Sequence, residues 1–376
     1  MKVLLISQIA VVDYKYTYSL ANALKANGNE VELVIDDKKD NEYCKCMCHN
    51  KFLTSRKDIN KFKKFTNYCS TYKYILKKAV NEKFDVVHVQ WFQFSPIDYL
   101  YIKKMRKSGI KVIVTVHDIL PFNEKKYDMH FHKKIYGLCN QIIVQAKTNI
   151  ERFDELFPED KNKVTYIPHG HFLDFADVHD KEESRKKLGI PDDKKVYLFF
   201  GQIKKVKGVG VLLKSFGEAA KKRDDIFLIV AGNVWKDEWN QYKDIISEES
   251  LDEAKLKLDI RFVPDELVGY YYSACDIAVL PYLDVYQSGV IQLTYAYSKP
   301  AIASAISPFM EIVQDGKNGF VFQTGNVEEL ENTILKSANI SNEKLYDMGT
   351  AGKQLIAEKY SWTDIAAKIT NLYKLD

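Results

Sequence analysis

Short apolar runs alternate with helical segments along this chain, stop at an irregular polar stretch, and then begin again, a pattern few folds can accommodate. Residues 2–6 read as a strand, 17–27 as an amphipathic helix with Leu20, Ala21 and Leu24 inward, and 30–35 as a second strand. Residues 36–50 are polar. A stripe at Ile59, Phe62, Phe65, Cys69, Tyr72 and Leu76, spaced by three or four, predicts a helix beyond them. Strands at 85–89, 111–116, 141–145 and 164–167 then alternate with helices at 97–108, 133–139 and 148–157. Such alternation signals a parallel sheet with helices on both faces.

The stretch 171–182, opened by Pro168, His169 and Gly170, reads as a hinge. The pattern resumes with strands at 196–200, 226–231, 259–263 and 276–281, each separated by helical or polar sequence. The chain of 376 residues is long for one core. The expected organisation is a first domain over 1–168, a second over 169–358, and a final helix, 359–376, packing back toward the first. Two doubly wound units of this kind face each other across a cleft, where ligands meet the carboxyl ends of the strands.

Composition excludes several classes. The net charge of +4 argues for no partner by itself, but residues 51–80 hold nine basic side chains against one acid, Asp58. Those cations are Lys51, Arg56, Lys57, Lys61, Lys63, Lys64, Lys73, Lys77 and Lys78, interleaved with Phe52, Phe62, Phe65, Tyr68, Tyr72 and Tyr74. The stripe 51–78 admits two readings: a solvated helix face, or a dock for an anionic membrane. No nucleic-acid recognition motif accompanies it. No apolar run approaches the roughly 20 residues that cross a bilayer, and the first residues read as a strand, so a cytoplasmic protein is expected, peripheral on the inner face of the plasma membrane under the second reading. The six cysteines form no recurring framework and fit free thiols. Cys44, Cys46, Cys48 and His49 resemble a metal tract, but without a second pair at zinc-finger distance no metal site is expected.

Two stretches carry chemistry. Gly201 to Gly208 reads G-Q-I-K-K-V-K-G between an apolar strand and a helix, and it offers Lys204 and Lys207 as compact cations for a departing diphosphate. Further on, Gln287-Ser288-Gly289-Val290 opens a helix at a Ser-Gly corner, whose unpaired amides and positive dipole end suit an anion.

With these residues the chain resembles the retaining GT-B glycosyltransferases of family 4 over essentially its whole length. The lysine loop resembles the family's G-x-x-R-x-x-K-G donor loop, with Lys204 in the arginine place and Lys207 in the lysine place. Ile167-Pro168-His169-Gly170, Ala274-Cys275-Asp276, Leu280-Pro281-Tyr282, Lys299-Pro300-Ala301-Ile302 and Thr115-Val116-His117-Asp118 also match in order. The resemblance implies an α/β, GT-B fold of two Rossmann-like domains with parallel sheets. It implies transfer of a sugar from a nucleotide-diphosphate donor to a glycan or lipid-linked acceptor, with retention and no metal or other cofactor. His117, Lys204 and Lys207 take the catalytic places. Gly201, Val263, Asp284, Gln287, Ser288, Gly289, Val290 and Gln292 take the donor side; Asp13, Tyr14 and Asp118 take the acceptor side.

Departures accompany the likeness. The family's E-x-F-G-x-x-x-x-E glutamates fall at Val285 and Leu293, and the usual glycine pair after the first strand is replaced by Ala10-Val11-Val12-Asp13-Tyr14. A nucleotide-sugar epimerase of the same fold, or an inactive glycosyltransferase-like partner, would share much of this sequence.

Overall fold

The computed structural model describes residues 1–36, 43–121 and 126–375, so residues 37–42 of the polar stretch 36–50 lie outside it. The chain forms two compact units, Met1–Gly170 with Tyr360–Asp376, and His171–Lys359.

The first unit holds β1 (Lys2–Ser7), α1 (Ala10–Ala26), β2 (Glu30–Asp36), β3 (Met47–Phe52), α2 (Lys61–Asn81), β4 (Val86–Val89), α3 (Ser95–Lys107), β5 (Lys111–Val116), α4 (Asp128–Leu138), β6 (Gln141–Val144), α5 (Thr148–Leu156) and β7 (Val164–Tyr166). Its seven-stranded sheet runs β3-β2-β1-β4-β5-β6-β7, and every pairing in it is parallel. Strands buried on both faces need apolar runs rather than alternation, which is what β1 and β5 supply.

The second unit holds α6 (Lys181–Leu188), β8 (Lys195–Phe200), α7 (Val209–Lys222), β9 (Ile226–Ala231), α8 (Asn240–Glu248), β10 (Leu256–Asp259), α9 (Asp265–Ala274), β11 (Ile277–Leu280), α10 (Gly289–Ala296), β12 (Ala301–Ser304), α11 (Ser307–Met310), β13 (Gly319–Phe322), α12 (Val327–Ala338) and α13 (Asn342–Lys359). Its six-stranded parallel sheet runs β10-β9-β8-β11-β12-β13. Both sheets therefore reverse strand order beside their first strand, between β1 and β4 and between β8 and β11. At such a switch point the connections leave in opposite directions and open a crevice at the carboxyl ends of the strands.

One further helix, α14 (Trp362–Lys374), belongs to the first unit and packs on α1. Asn27 and Asn29 both donate to Thr370 Oγ1, at 2.8 and 2.9 Å, and His88 Nδ1 meets the Tyr373 hydroxyl at 2.7 Å. Its N-terminal Trp362 lies so close to Gly170 that a Cβ there would stand 2.3 Å from the indole.

Three expectations are corrected. The polar stretch runs into an edge strand, β3, which among the described residues pairs with β2 alone and so needs no apolar run. The segment after β1 is helical from Ala10, so Asp13 and Tyr14 sit in the first turns of α1, where the backbone kinks at Asp13. Helix α2 turns Tyr68, Tyr72, Ile75 and Ala79 inward, leaving Phe62 and Phe65 exposed. The hydroxyls of Tyr68 and Tyr72 donate to buried Asp98 of α3 at 2.5 and 2.7 Å, and that anchor fixes the helix's rotation.

Candidate active site

In the second unit the carboxyl ends of β8, β9 and β11 meet in a tightly bonded set of loops. Gly201 follows β8 with φ 127°, and Gly232 follows β9 with φ 151°. A Cβ on Gly232 would lie 1.8 Å from the Gly201 carbonyl oxygen, so only glycine permits this approach. From Gly201 the lysine loop runs out beside the β9 loop: Ile203 N donates to Asn233 O at 2.9 Å and Trp235 N to Ile203 O at 3.0 Å. It then returns under β11, where Leu283 N donates to Val206 O at 2.8 Å. Gly208, at φ 68°, opens α7 so close to Pro281 that a Cβ would stand 1.8 Å from its carbonyl oxygen.

This backbone lattice sets the cations. Lys204 and Lys207 are half-buried whereas Lys205 between them is exposed, and Lys207 Nζ lies 3.7 Å from the Tyr282 ring centre. The start of α10 abuts the same loop, since a Cβ on Gly201 would stand 3.6 Å from Val290 Cγ2. Ser288 occupies the N-cap without a side-chain capping bond, so it leaves the first amides of α10 uncapped. Nearby, Gln287 Oε1 and Gln292 Oε1 are buried without a hydrogen-bond partner among the described residues. Buried acceptors of that kind are costly unless a ligand supplies the donor. Lysines, uncapped amides and unmet acceptors together can hold a polyanion carrying hydroxyl groups.

In the first unit the carboxyl ends of β4 and β5 and the first turns of α1 converge on His117, which is 2% exposed. Its Nε2 lies 3.1 Å from Gln90 Oε1 and 3.8 Å from Asp13 Oδ2. Trp91 stacks on the imidazole at 4.4 Å with an angle of 8°, and its Nε1 donates to Asp13 Oδ2 at 3.1 Å. Tyr16 closes the other side edge-on at 4.9 Å, itself in contact with His169 and Trp362. Burial, with His169 and His88 nearby, holds His117 well below the ordinary imidazole range. The ring is therefore neutral, and with Gln90 Oε1 as acceptor its Nε2 carries the hydrogen. Burial also raises Asp13 to about 7, moderated by the Trp91 hydrogen bond. A neutral imidazole whose Nδ1 is unmet among the described residues, beside a carboxylate poised near neutrality, suits contact with sugar hydroxyls.

Residues 180–355 match the family described as glycosyl transferases group 1, and residues 15–175 match glycosyltransferase family 4. The chain belongs to glycosyltransferase family 4. It is 27% identical over 246 residues to an uncharacterised glycosyltransferase of Methanocaldococcus jannaschii, covering 64% of this chain and 61% of that one. It is 22% identical to a lipopolysaccharide 1,2-N-acetylglucosaminetransferase of Salmonella typhimurium, covering 76% and 79%. Among solved structures, sucrose-phosphate synthase from Thermosynechococcus elongatus superposes with a TM-score of 0.79 at 17% identity, covering 100% and 98%. Anabaena HepE, solved with UDP and glucose, superposes with a TM-score of 0.77 at 14% identity, covering 99% and 98%. The fold is GT-B.

Within this glycosyltransferase the structure gathers Gly201, Lys207, Gly289 and Val290 at the carboxyl end of one sheet. Val263 is buried in the loop after β10, and Asp284 is half-buried on the way to α10. Val285 and Leu293, standing where the family has glutamates, are 5% and 7% exposed and fill core. Thr294 donates to Val290 O within its own helix, which leaves Gln292 as the polar group on that turn with an unmet acceptor. On the acceptor side Asp13 meets His117, Tyr14 is buried against Tyr18, and Asp118 is exposed. The sequence reading passed over Gln90, Trp91 and Tyr16. The first two directly follow the last residue of a central strand, and that position was the available signal.

Proposed function

We propose that this glycosyltransferase moves a sugar from a nucleotide-diphosphate donor to a glycan or lipid-linked acceptor in cell-surface polysaccharide synthesis, with retention at the anomeric carbon and without a metal ion. The observation that carries the reading is the lysine loop locked by backbone bonds to the segment that leads into α10. That arrangement puts two cations and the start of a helix at the carboxyl end of one sheet. Lys204, Lys207 and the amides of Ser288, Gly289 and Val290 would stabilise the diphosphate as its charge grows. Gln287 would face the sugar and Gln292 the ribose, each supplying the acceptor that now lacks a donor. His117 would accept a donor-sugar hydroxyl at its unmet Nδ1, and Asp13, Tyr14 and Asp118 would bind the acceptor, whose proton leaves on the departing phosphate. The lipopolysaccharide 1,2-N-acetylglucosaminetransferase among the relatives points the same way.

No described helix is long and apolar enough to cross a membrane. We place the enzyme in the cytoplasm, at the inner face of the plasma membrane, through α2. Phe62, 77% exposed, and Phe65 stand beside exposed Lys57, Lys61 and Lys63, which suits insertion into an anionic interface. The test is a transfer assay with UDP, GDP and ADP sugars on the wild type and on a Lys204→Ala, Lys207→Ala double variant. Loss of transfer with an unchanged melting temperature supports the reading; retained turnover sinks the lysine assignment.

A further inference from the structure

Three half-buried cysteines converge where the chain enters β3, and none belongs to either set of residues described above. Cys48 Sγ lies 3.4 Å from Cys44 Sγ and donates to it, and the two sulfurs stand 3.6 and 3.8 Å from the Cys46 carbonyl oxygen. The turn is pinned to α1. Asn22 donates to Tyr43 O at 2.7 Å and accepts from Lys45 N at 2.8 Å, while the Lys25 ammonium donates to Lys45 O. Cys46 Sγ is directed to Ala21 O at 3.5 Å. Among the described residues no group of three His, Cys, Asp or Glu side chains is arranged to hold a metal ion. The cluster is thus a close thiol pair with a third thiol on a helix carbonyl.

We propose that Cys44 and Cys48 are a thiol–disulfide exchange site, with Cys44 as the attacking sulfur, Cys48 as the resolving sulfur and a low-molecular-weight disulfide as co-reactant. Hydrogen bonds from Cys46 and Cys48, with Lys25 adding its charge, hold Cys44 well below the ordinary thiol range. The same bonds push Cys46 and Cys48 up. That split gives one thiolate and one protonated neighbour, the arrangement that exchange requires. The Cys44 thiolate attacks one sulfur of the small disulfide, forming a mixed disulfide and releasing one small thiolate. Cys48 passes its proton to that thiolate and attacks Cys44 Sγ, releasing the second small thiol, which takes its proton from water. Two protein thiols are oxidised to one disulfide, and one small disulfide is reduced to two thiols. The sulfurs need to close from 3.4 Å to the bonded separation of about 2.05 Å. Cys69, Cys139 and Cys275 serve as internal references, because burial raises each of them above the ordinary thiol range.

The test is incubation of the folded full chain with oxidised glutathione, followed by peptide mapping. The expected result is an intramolecular Cys44–Cys48 bond forming at least ~10-fold faster than any adduct on Cys139 or Cys275. Cys48→Ser should trap a stable glutathione adduct on Cys44, and Cys44→Ser should give neither product. A wild type that stays reduced, adducts spread evenly over the six thiols, or a bond that uses Cys46 overturns the assignment. Because wild-type mapping alone decides between these results, a serine variant that fails to fold leaves the test intact.

Discussion

The Lys207 ammonium rests 3.7 Å from the centre of the Tyr282 ring, and the loop carrying one is hydrogen-bonded to the strand end carrying the other. A cation held over an aromatic face gains about 0.5–2 kcal/mol. Tyr282→Phe keeps the ring and should leave donor KM within about threefold of wild type. Tyr282→Leu frees the lysine, and KM for the nucleotide sugar should rise by about 2–30-fold, the range that energy corresponds to. Initial-rate kinetics on both variants separate the ring from the hydroxyl.

Gly208 combines a left-handed backbone with a contact that leaves no room for a side chain. Gly208→Ala should shift the lysine loop away from Pro281, lower the melting temperature and reduce transfer at least ~10-fold. Gly189→Ala is the control, since Gly189 is also left-handed, at φ 63°, but has nothing within 4 Å of its Cβ position. It should cost only about 1 kcal/mol and leave transfer unchanged. Equal activity losses in the two variants would remove the contact from the explanation.

Trp91 touches His117 through its face and Asp13 through its N–H. Trp91→Phe keeps a ring over the imidazole and removes a hydrogen bond to a carboxylate, an effect of about 1.5–3 kcal/mol. A fall in kcat of about 10–100-fold is expected, with Trp91→Ala lower still. Donor binding measured by calorimetry should change far less than kcat in both, because the diphosphate and ribose contacts proposed above lie in the second unit. A matching loss of donor affinity would point to global damage instead.

Five buried titratable groups in the first unit pull its pH dependence in opposite directions. Burial lowers His88 to about 3 and His169 to about 4, and puts His117 well below its ordinary value. Stability from these neutral rings is present above about pH 6.5 and is lost as pH falls. Burial raises Asp13 and Asp98 from 3.8 to about 7. Their contribution is full below about pH 4 and is lost as pH rises through about 7. Between about pH 4.5 and 6 the two sets largely offset, so urea unfolding of the wild type should show a shallow slope there. Asp98→Asn should steepen the acid-side loss and His169→Gln should flatten or reverse it. Slopes moving together would show that other groups dominate.

Much of the second unit was legible in the sequence because strands such as β8 and β9 are unbroken apolar runs closing on glycines, at Phe200-Gly201 and Ala231-Gly232, whereas the strand expected at 259–263 lies at Leu256–Asp259, where apolar and charged residues alternate. The edge strand β3 was not legible, because Met47, Cys48, His49, Asn50 and Lys51 carry no apolar period and are ordered by pairing with β2 and by hydrogen bonds from Asn67, Thr71 and Tyr74 of α2. Helix α2 was legible as a helix but not in its rotation. Its aromatic stripe offered two faces, and the choice was made by Asp98, thirty residues beyond Tyr68, accepting from Tyr68 and Tyr72. Asp276 illustrates the converse. It stood in a motif, yet its carboxylate is consumed by Lys181, Arg185 and the Val196 amide, which tie α6 to the sheet. At His117 the sequence named the imidazole but not its supports, since Gln90, Trp91 and Asp13 meet it only through the parallel order of β1, β4 and β5.

Helix α14 comes last in the chain yet completes the first unit, capping α1 and giving buried His88 its Tyr373 partner. Order of synthesis and order of completion are therefore reversed. As the polypeptide emerges from the ribosome, residues 171–359 are all available to condense while the domain made first still lacks its closing helix, with the Trp362 site beside Tyr16 and Gly170 open. The earlier domain waits on the later one, and a premature stop shortly after residue 359 would leave that earlier domain unfinished.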